Sequence, residues 1–239
     1  MSTPRMSTPR MKPLALITGA SRGIGRAIAI ELGRTHRVLV GGRDEAAVAE
    51  VVSALPDAAP FLADLTDEEA VAAACAGIER LDVLVHSAGV MGHYGPVAEA
   101  TGEQWRRTMD VNVIAPATLT RLLLPALRAS GGLVVFLNSG AGLTAHPGWS
   151  VYAASKFALT ALADALRGEE AGRVKVTTIH PGRTATAMQE ALRAAEGGSY
   201  EPESYLSPED VARTVRLAVD LPPSASLSSL RIAPAPVRR

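Results

Sequence analysis

The chain of 239 residues has one cysteine, Cys75, and its 24 lysines and arginines are matched by 24 aspartates and glutamates. A lone cysteine excludes an intrachain disulfide and a cysteine-based zinc site, and it suits a reducing compartment. Zero net charge removes the overall attraction shown by a dedicated binder of nucleic acid or anionic membrane, and leaves only local basic clusters. No stretch reaches the roughly 18 uninterrupted apolar residues of a membrane span, and the start lacks the apolar segment of a secretory signal. The five histidines, His36, His86, His93, His146 and His180, show no metal-ligand spacing. The expectation is a cytoplasmic protein with a small-molecule ligand, no nucleic acid, no membrane and no metal.

What is present is a hydrophobic content of 47% over a length that suits one domain with a sizeable core. Residues 1–10 write MSTPR twice without a hydrophobic period, so 1–11 reads as a disordered tail and 12–239 as a single domain. The end is proline-rich, at Pro234 and Pro236. From Leu14 onward, short apolar runs alternate with alanine-rich amphipathic stretches, the pattern of successive βαβ units. Strands are predicted over 14–18, 37–41, 60–63, 81–86, 133–138, 175–180 and 229–232. Several are apolar at nearly every position, as strands of a parallel sheet covered on both faces should be.

Helix starts are marked as well. Thr66 with Glu69, and Thr101 with Gln104, have the spacing of a capping box, and Ser207-Pro208 reads as an N-cap followed by a first-turn proline. The acidic run Asp67, Glu68, Glu69 complements a helix dipole. Two long helices are predicted over about 103–129 and 149–168. A doubly wound sheet places its ligand at the carboxyl ends of the strands.

The first predicted strand runs into Thr18-Gly19-Ala20-Ser21-Arg22-Gly23-Ile24-Gly25, and an alanine-rich helix follows. This is the context of a dinucleotide fingerprint, with glycines spaced GxxxGxG in place of GxGxxG. Gly19 permits a tight exit from the strand, while Gly23 and Gly25 let the backbone approach a pyrophosphate seated on the free helix amides. The alternative is a tight connection with no ligand. Beyond the second strand the chain reads Val40-Gly41-Gly42-Arg43, with no acid at the place where an NAD-preferring site holds the ribose hydroxyls. Arg43 is placed to meet a 2′-phosphate, with Arg22 as a second charge; otherwise both are surface arginines. Asp44 either caps the next helix or serves NAD.

Tyr152 and Lys156 lie four residues apart in VYAASKFALTALADAL, so both project from one helix face. Ser139 ends the fifth predicted strand, and Asn112 lies in the long helix before it. With these residues in view the sequence resembles the short-chain dehydrogenase/reductase family over residues 12–233. TGASRGIG matches its cofactor turn, ADL with Asp64 its adenine-contacting position, HSAG its NNAG motif, and Pro181-Gly182 its motif after the sixth strand. Asn112, Ser139, Tyr152 and Lys156 match its catalytic set, with Ser139 standing 13 residues before Tyr152.

The resemblance implies a Rossmann-type doubly wound α/β sheet of seven mainly parallel strands in the order 3-2-1-4-5-6-7. It implies a nicotinamide dinucleotide, which Arg43 and the missing acid at Gly41 and Gly42 make NADP(H), NAD(H) being the alternative. Gly19, Ser21, Arg22, Gly23, Ile24 and Arg43 would hold its phosphate side, and Asp64, Leu65, Ala88 and Gly89 its adenosine half. Tyr152, Lys156, Pro181, Gly182, Thr184 and Thr186 would hold the nicotinamide end, with Thr186 on the carboxamide. It also implies a homotetramer or homodimer built on the two long helices.

Reducing a carbonyl needs a hydride on carbon and a proton for the developing alkoxide, and Tyr152 is the candidate acid, becoming the base in alcohol oxidation. A free tyrosine has a pKa near ~10, so a positive Lys156, helped by the charge of the oxidised nicotinamide, is expected to make it more acidic. Ser139 orients the substrate oxygen. By resemblance, Lys156 also holds the nicotinamide ribose and Asn112 positions a water that links Lys156 to solvent.

HSAG departs from NNAG: Ser87 lacks an amide that ties neighbouring strands in the family, a modest stability effect, and His86 reads as a strand-end histidine satisfied by its neighbours. The substrate pocket is expected from Ser139, Ala141, Leu143, His146, Trp149 and Tyr152. His93 and Tyr94 add to it, and a lid over about 184–206 adds Met188 and Tyr200. Gly197-Gly198 and Pro202 make that lid a mobile flap. Such a lining suits a medium-sized carbonyl compound without a strong charge. The leading reading is an NADP(H)-dependent carbonyl reductase or alcohol dehydrogenase; its rivals are an NAD-dependent alcohol dehydrogenase and a non-catalytic dinucleotide-binding sensor.

Overall fold

A computed structural model of the chain describes residues 12–235, so the tail over 1–11 and Pro236 lie outside the described residues. Seven strands, β1 (Leu14–Ile17), β2 (Arg37–Gly42), β3 (Ala58–Leu62), β4 (Val83–His86), β5 (Leu133–Leu137), β6 (Lys175–Pro181) and β7 (Ser229–Ile232), form one sheet in the order β3-β2-β1-β4-β5-β6-β7. Every pairing is parallel; Leu16, for example, stands beside Leu39 on one side and Leu84 on the other. The direction of winding reverses between β1 and β4, which opens the crevice where such sheets bind ligands.

The unbroken apolar strands divide between two cores by the two-residue period of an extended chain. Ala15 and Ile17 of β1, with Val85 and Val135, face one layer, where Ile28 and Leu32 of α1 (Gly23–Gly33) meet a later helix through Val211 and Val215. Leu16, Leu84, Val134 and Phe136 face the other layer, against Leu119, Leu123 and Leu159. The remaining helices are α2 (Glu45–Ser53), α3 (Glu68–Cys75), α4 (Gly102–Met109), α5 (Ala115–Ser130), α6 (Ser150–Glu169), α7 (Ala187–Ala195) and α8 (Pro208–Asp220).

Thr101 and Gln104 close a capping box on α4, and Ser207 closes one with Asp210 on α8, whose first residue is Pro208. Each such cap stabilises by about 1 kcal/mol. The box expected from Thr66 and Glu69 is not formed. Asp67 caps α3 by accepting from the Ala70 amide, and the Thr66 hydroxyl turns back to Asp64 at 2.8 Å. Asp67, one residue closer to the helix, outcompetes the threonine.

The single helix expected over 103–129 is also divided. Between α4 and α5 lies a five-residue π turn, Asp110–Ile114. Pro116 has no N–H to give to the carbonyl of Asn112 four residues earlier, so the α ladder breaks there and the chain widens by one residue.

Candidate active site

The glycine turn is shaped by what surrounds it. Gly19 has φ +61°, and a Cβ on it would lie 2.8 Å from Cα of Ala88; a Cβ on Gly25 would lie 2.2 Å from the Gly19 carbonyl oxygen. The first position needs both the left-handed backbone and the missing side chain, and the second needs the missing side chain alone. Thr18 fastens this turn to the HSAG segment, its hydroxyl accepting from the amides of Ser87 (3.0 Å) and Ala88 (3.1 Å). Helix α1 starts at Gly23 with no side-chain cap and no acid in its first turn, whereas α2, α3, α4, α7 and α8 are capped by side chains. Unclaimed amides and a bare dipole make this helix end fit for a phosphate.

At the next strand end Arg43 lies beside Asp64, Nη1 to Oδ2 at 3.2 Å, both of them well exposed. Two bonds from Thr66, with Arg43 assisting, hold the Asp64 carboxyl below the usual carboxylate range. Arg22 is exposed and makes no ion pair among the described residues. Asp44 accepts from the Ala47 amide at 3.1 Å, so its carboxylate serves as the cap of α2. Leu65 is partly buried against the core on the other side of the sheet.

The π turn carries Asn112 into the interior. Its side-chain oxygen accepts from the Val90 amide (2.8 Å), and its nitrogen donates to the Val90 carbonyl (2.9 Å) and the Ser155 hydroxyl (3.0 Å). Asn112 thereby pins the loop after β4 to the residue beside Lys156. Gly89 lies in that loop, where a Cβ would sit 3.3 Å from the Asn112 oxygen and 3.9 Å from Nζ of Lys156. Lys156 is buried, donates to the Leu137 carbonyl at 3.1 Å, and holds its Nζ 5.6 Å from the centre of the Tyr152 ring. Asn138 ties the end of β5 to α6 by donating to the Lys156 carbonyl (3.1 Å) and the Thr160 hydroxyl (2.9 Å). Ser139 follows at once, its oxygen accepting from the Ala141 amide at 3.1 Å.

Burial pushes the Tyr152 phenol above its ordinary value, and a hydrogen bond to Ser139 offsets part of that rise. Burial also pushes Lys156 down, to about 8. In the chain alone, desolvation drives both groups toward their neutral forms.

A cleft of about 390 Å³ opens beside these residues. It is lined by Ser139, Ala141, His146, Trp149, Tyr152 and Met188, the set expected for substrate, and by Ile24, Pro181, Gly182, Thr184 and Thr186 from the set expected for cofactor. Trp149 leans on Tyr152 with ring centres 5.9 Å apart. The Thr186 hydroxyl serves as the N-cap of α7, accepting from the Gln189 amide.

Four expected pocket residues do not line the cleft. Tyr94 stands behind Trp149, edge to face at 6.0 Å, and Tyr200 packs on Tyr205 at 5.7 Å. Leu143 points outward, and His93 turns toward Gly95. Conversely, Met91, Asn138, Arg183, Gln189 and Leu192 line it without having been singled out. The signal for the lid residues was the helical period of AMQEALRAA: the segment expected as a flap contains α7. Its base is fixed by Arg183, which grips Glu196 with two bonds of 2.9 and 2.7 Å, and Arg193 meets the same carboxylate.

His86 is spent on structure. Its Nε2 meets the Thr120 hydroxyl at 2.8 Å, its ring stacks on Phe136, and burial lowers its pKa to about 3.

The sequence model of the short chain dehydrogenase family matches residues 13–197. An uncharacterised short-chain type dehydrogenase/reductase of Sinorhizobium fredii is 35% identical, over 92% of this chain and 91% of that protein. Serine 3-dehydrogenase of Rhizobium radiobacter is 31% identical over 94% of each. Among solved structures, a short chain dehydrogenase of Escherichia coli CFT073 complexed with NADPH superposes with a TM-score of 0.85 at 30% identity, covering 92% of this chain and 96% of that one.

Proposed function

The chain belongs to the short-chain dehydrogenase/reductase family, and from that premise we propose that it is an NADP(H)-dependent oxidoreductase that reduces a ketone or aldehyde, or oxidises the corresponding secondary alcohol. The observation that carries this reading is the meeting of Ser139 and Tyr152 in one cleft, with Lys156 5.6 Å behind the phenol ring, at the carboxyl edge of the sheet. The uncapped start of α1 and the space left by Gly19 and Gly25 fit a dinucleotide phosphate.

When bound, NADPH supplies the hydride. Gly19, Ser21, Gly23 and Ile24 would hold its phosphates and nicotinamide face, and Asp64, Leu65, Ala88 and Gly89 its adenosine half. Arg43, with Arg22 next to the turn, would take the 2′-phosphate, and Asp44, committed to capping α2, leaves no acid there to favour NAD. Ser139 donates to the substrate oxygen and fixes it against Tyr152, which gives its proton to the developing alkoxide. Lys156, charged below about pH 8, stabilises the phenolate left behind. Asn112 holds the loop after β4 against α6 and so sets the position of Lys156. A reducing compartment such as the cytoplasm suits Cys75, whose thiol burial raises to about 11. Exposed Ile114 on the π turn and Phe157 on α6 support assembly of two or four copies through these helices.

NADPH absorbance followed over a panel of carbonyl compounds tests the activity. The wild type is expected to turn over, Tyr152→Phe to lose at least about a hundredfold in kcat, and Arg43→Ala to weaken NADPH more than NADH. Full turnover in Tyr152→Phe would refute the catalytic assignment, and equal loss of both cofactors would refute the role of Arg43.

A further inference from the structure

Two polar atoms of the cleft wall are buried without a partner among the described residues, the Asn138 oxygen and the Gln189 nitrogen, and only the second is a donor. Gln189 is 8% exposed, and its side-chain nitrogen is buried with no hydrogen-bond partner among the described residues. A buried amide without a partner is costly, and native folds seldom keep one that no ligand or water meets. Its neighbouring donors in the wall are already engaged: the Thr184 hydroxyl donates to the Gly182 carbonyl, the Thr186 hydroxyl to the Thr184 carbonyl, and the Asn138 nitrogen holds α6.

Thr186, Gln189 and Leu192 follow one another at three-residue spacing and line the same cleft as one stripe. The stripe begins against the glycine turn, where a Cβ on Gly23 would lie 3.5 Å from the Thr186 methyl. Gln189 is three residues further along the helix, about 4.5 Å beyond that end. Along the helix it lies between Met188 and Leu192, which also line the cleft. The one lysine or arginine in the lining, Arg183, is already paired through two bonds to Glu196. The wall thus offers one unpartnered neutral donor and no unpaired lysine or arginine.

We propose that Gln189 is the specificity-determining contact of the cleft. Once its terminal amide turns the buried nitrogen to the cleft, it donates a hydrogen bond to a second, uncharged oxygen of the substrate, so the preferred class is a carbonyl compound with a neighbouring carbonyl or ester oxygen, a 1,2- or 1,3-dicarbonyl, over a simple ketone or a free oxo acid. This rests on the carbonyl reductase reading, and the test separates the two.

With purified full-length protein and NADPH, kcat/KM is measured for 2,3-pentanedione, methyl acetoacetate, acetoacetate and 2-pentanone in the wild type, Gln189→Leu and Gln189→Glu. The wild type is expected to favour the two uncharged dicarbonyls, and the ratio of either to 2-pentanone is expected to fall roughly three- to tenfold in both variants, since glutamate keeps the shape and loses the donor. NADPH affinity, read by fluorescence titration, distinguishes substrate from cofactor as the source of the oxygen. Loss of NADPH affinity with an unchanged substrate ratio would overturn the inference, as would a ratio retained in Gln189→Glu or a preference for acetoacetate. Turnover of 2-pentanone alone would overturn the inference and leave the reductase reading standing. No turnover of any carbonyl compound would overturn both.

Discussion

Lys156 makes a prediction that links the site to the stability of the whole fold. Its ammonium is buried, and burial lowers its pKa from an ordinary 10.5 to about 8. Below pH 8 the lysine is charged in both the folded and the unfolded chain, and the folded chain bears the full desolvation penalty. A shift of about 2.5 pKa units corresponds to about 3 kcal/mol of destabilisation at pH 7. Between pH 8 and 10.5 the unfolded chain binds the proton that the folded chain has lost, so stability from this group rises with pH, and the penalty shrinks to about 1 kcal/mol at pH 10. Lys156→Met removes the charge and nearly keeps the volume, at the cost of the 3.1 Å bond to the Leu137 carbonyl, worth about 1 kcal/mol. The variant is therefore expected to be more stable than the wild type by about 2 kcal/mol at pH 7 and to lose that advantage by pH 10. Urea unfolding of both proteins at pH 7, 8, 9 and 10 reads the difference, in which other titrating groups cancel. A variant no more stable at pH 7, or an advantage that stays constant with pH, would refute the reasoning. The variant is also expected to be inactive, as when a site holds a destabilising group for its chemistry.

Two further perturbations test the frame around the site. Gly25→Ala places a Cβ 2.2 Å from the Gly19 carbonyl oxygen; because backbone cannot yield as a side-chain tip does, a loss of about 3 kcal/mol is expected, with NADPH affinity falling in a fluorescence titration. Glu196→Gln weakens the ion pairs that Arg183 and Arg193 make at the base of the lid. These pairs are part-exposed, so the loss is about 1 kcal/mol or less, seen as faster proteolysis of the segment around α7. Arg183 holds the Glu196 carboxyl below its ordinary range, so this stabilisation is present above the unfolded carboxyl pKa and fades as pH falls through the lowered folded value. Wild type and variant should converge in acid.

The sheet was readable because its strands are buried on both faces. LALI, VLVH and LVVFL carry no alternation to confuse them with surface strands, and every one of the seven predicted strands overlaps an observed one. Ends were less readable where two residues compete for one role, as Asp67 did with Thr66. The π turn was hidden because helical periodicity continues on both sides of it, and only Pro116, four residues after Asn112, betrays the break. In the lid, glycines and a proline drew attention from the period of α7, and with it from Gln189 and Leu192.

Charge pairing was the least legible layer, because it depends on which strand ends become neighbours. Arg43 and Asp64 each carry a cofactor role by resemblance, yet 21 residues of chain separate them and only the pairing of β2 with β3 brings them to 3.2 Å. A 2′-phosphate arriving at Arg43 must therefore compete with a carboxylate already there. Both partners are well exposed, so the existing pair is weak, whereas a phosphate offers a doubly charged acceptor suited to the guanidinium fork. On the proposed role of Arg43, the exchange would favour the phosphate and release Asp64. On that proposal, an ion pair that looks like a closed lock in the chain alone would be a mild placeholder, one that orients Arg43 at the strand edge until a stronger anion takes it.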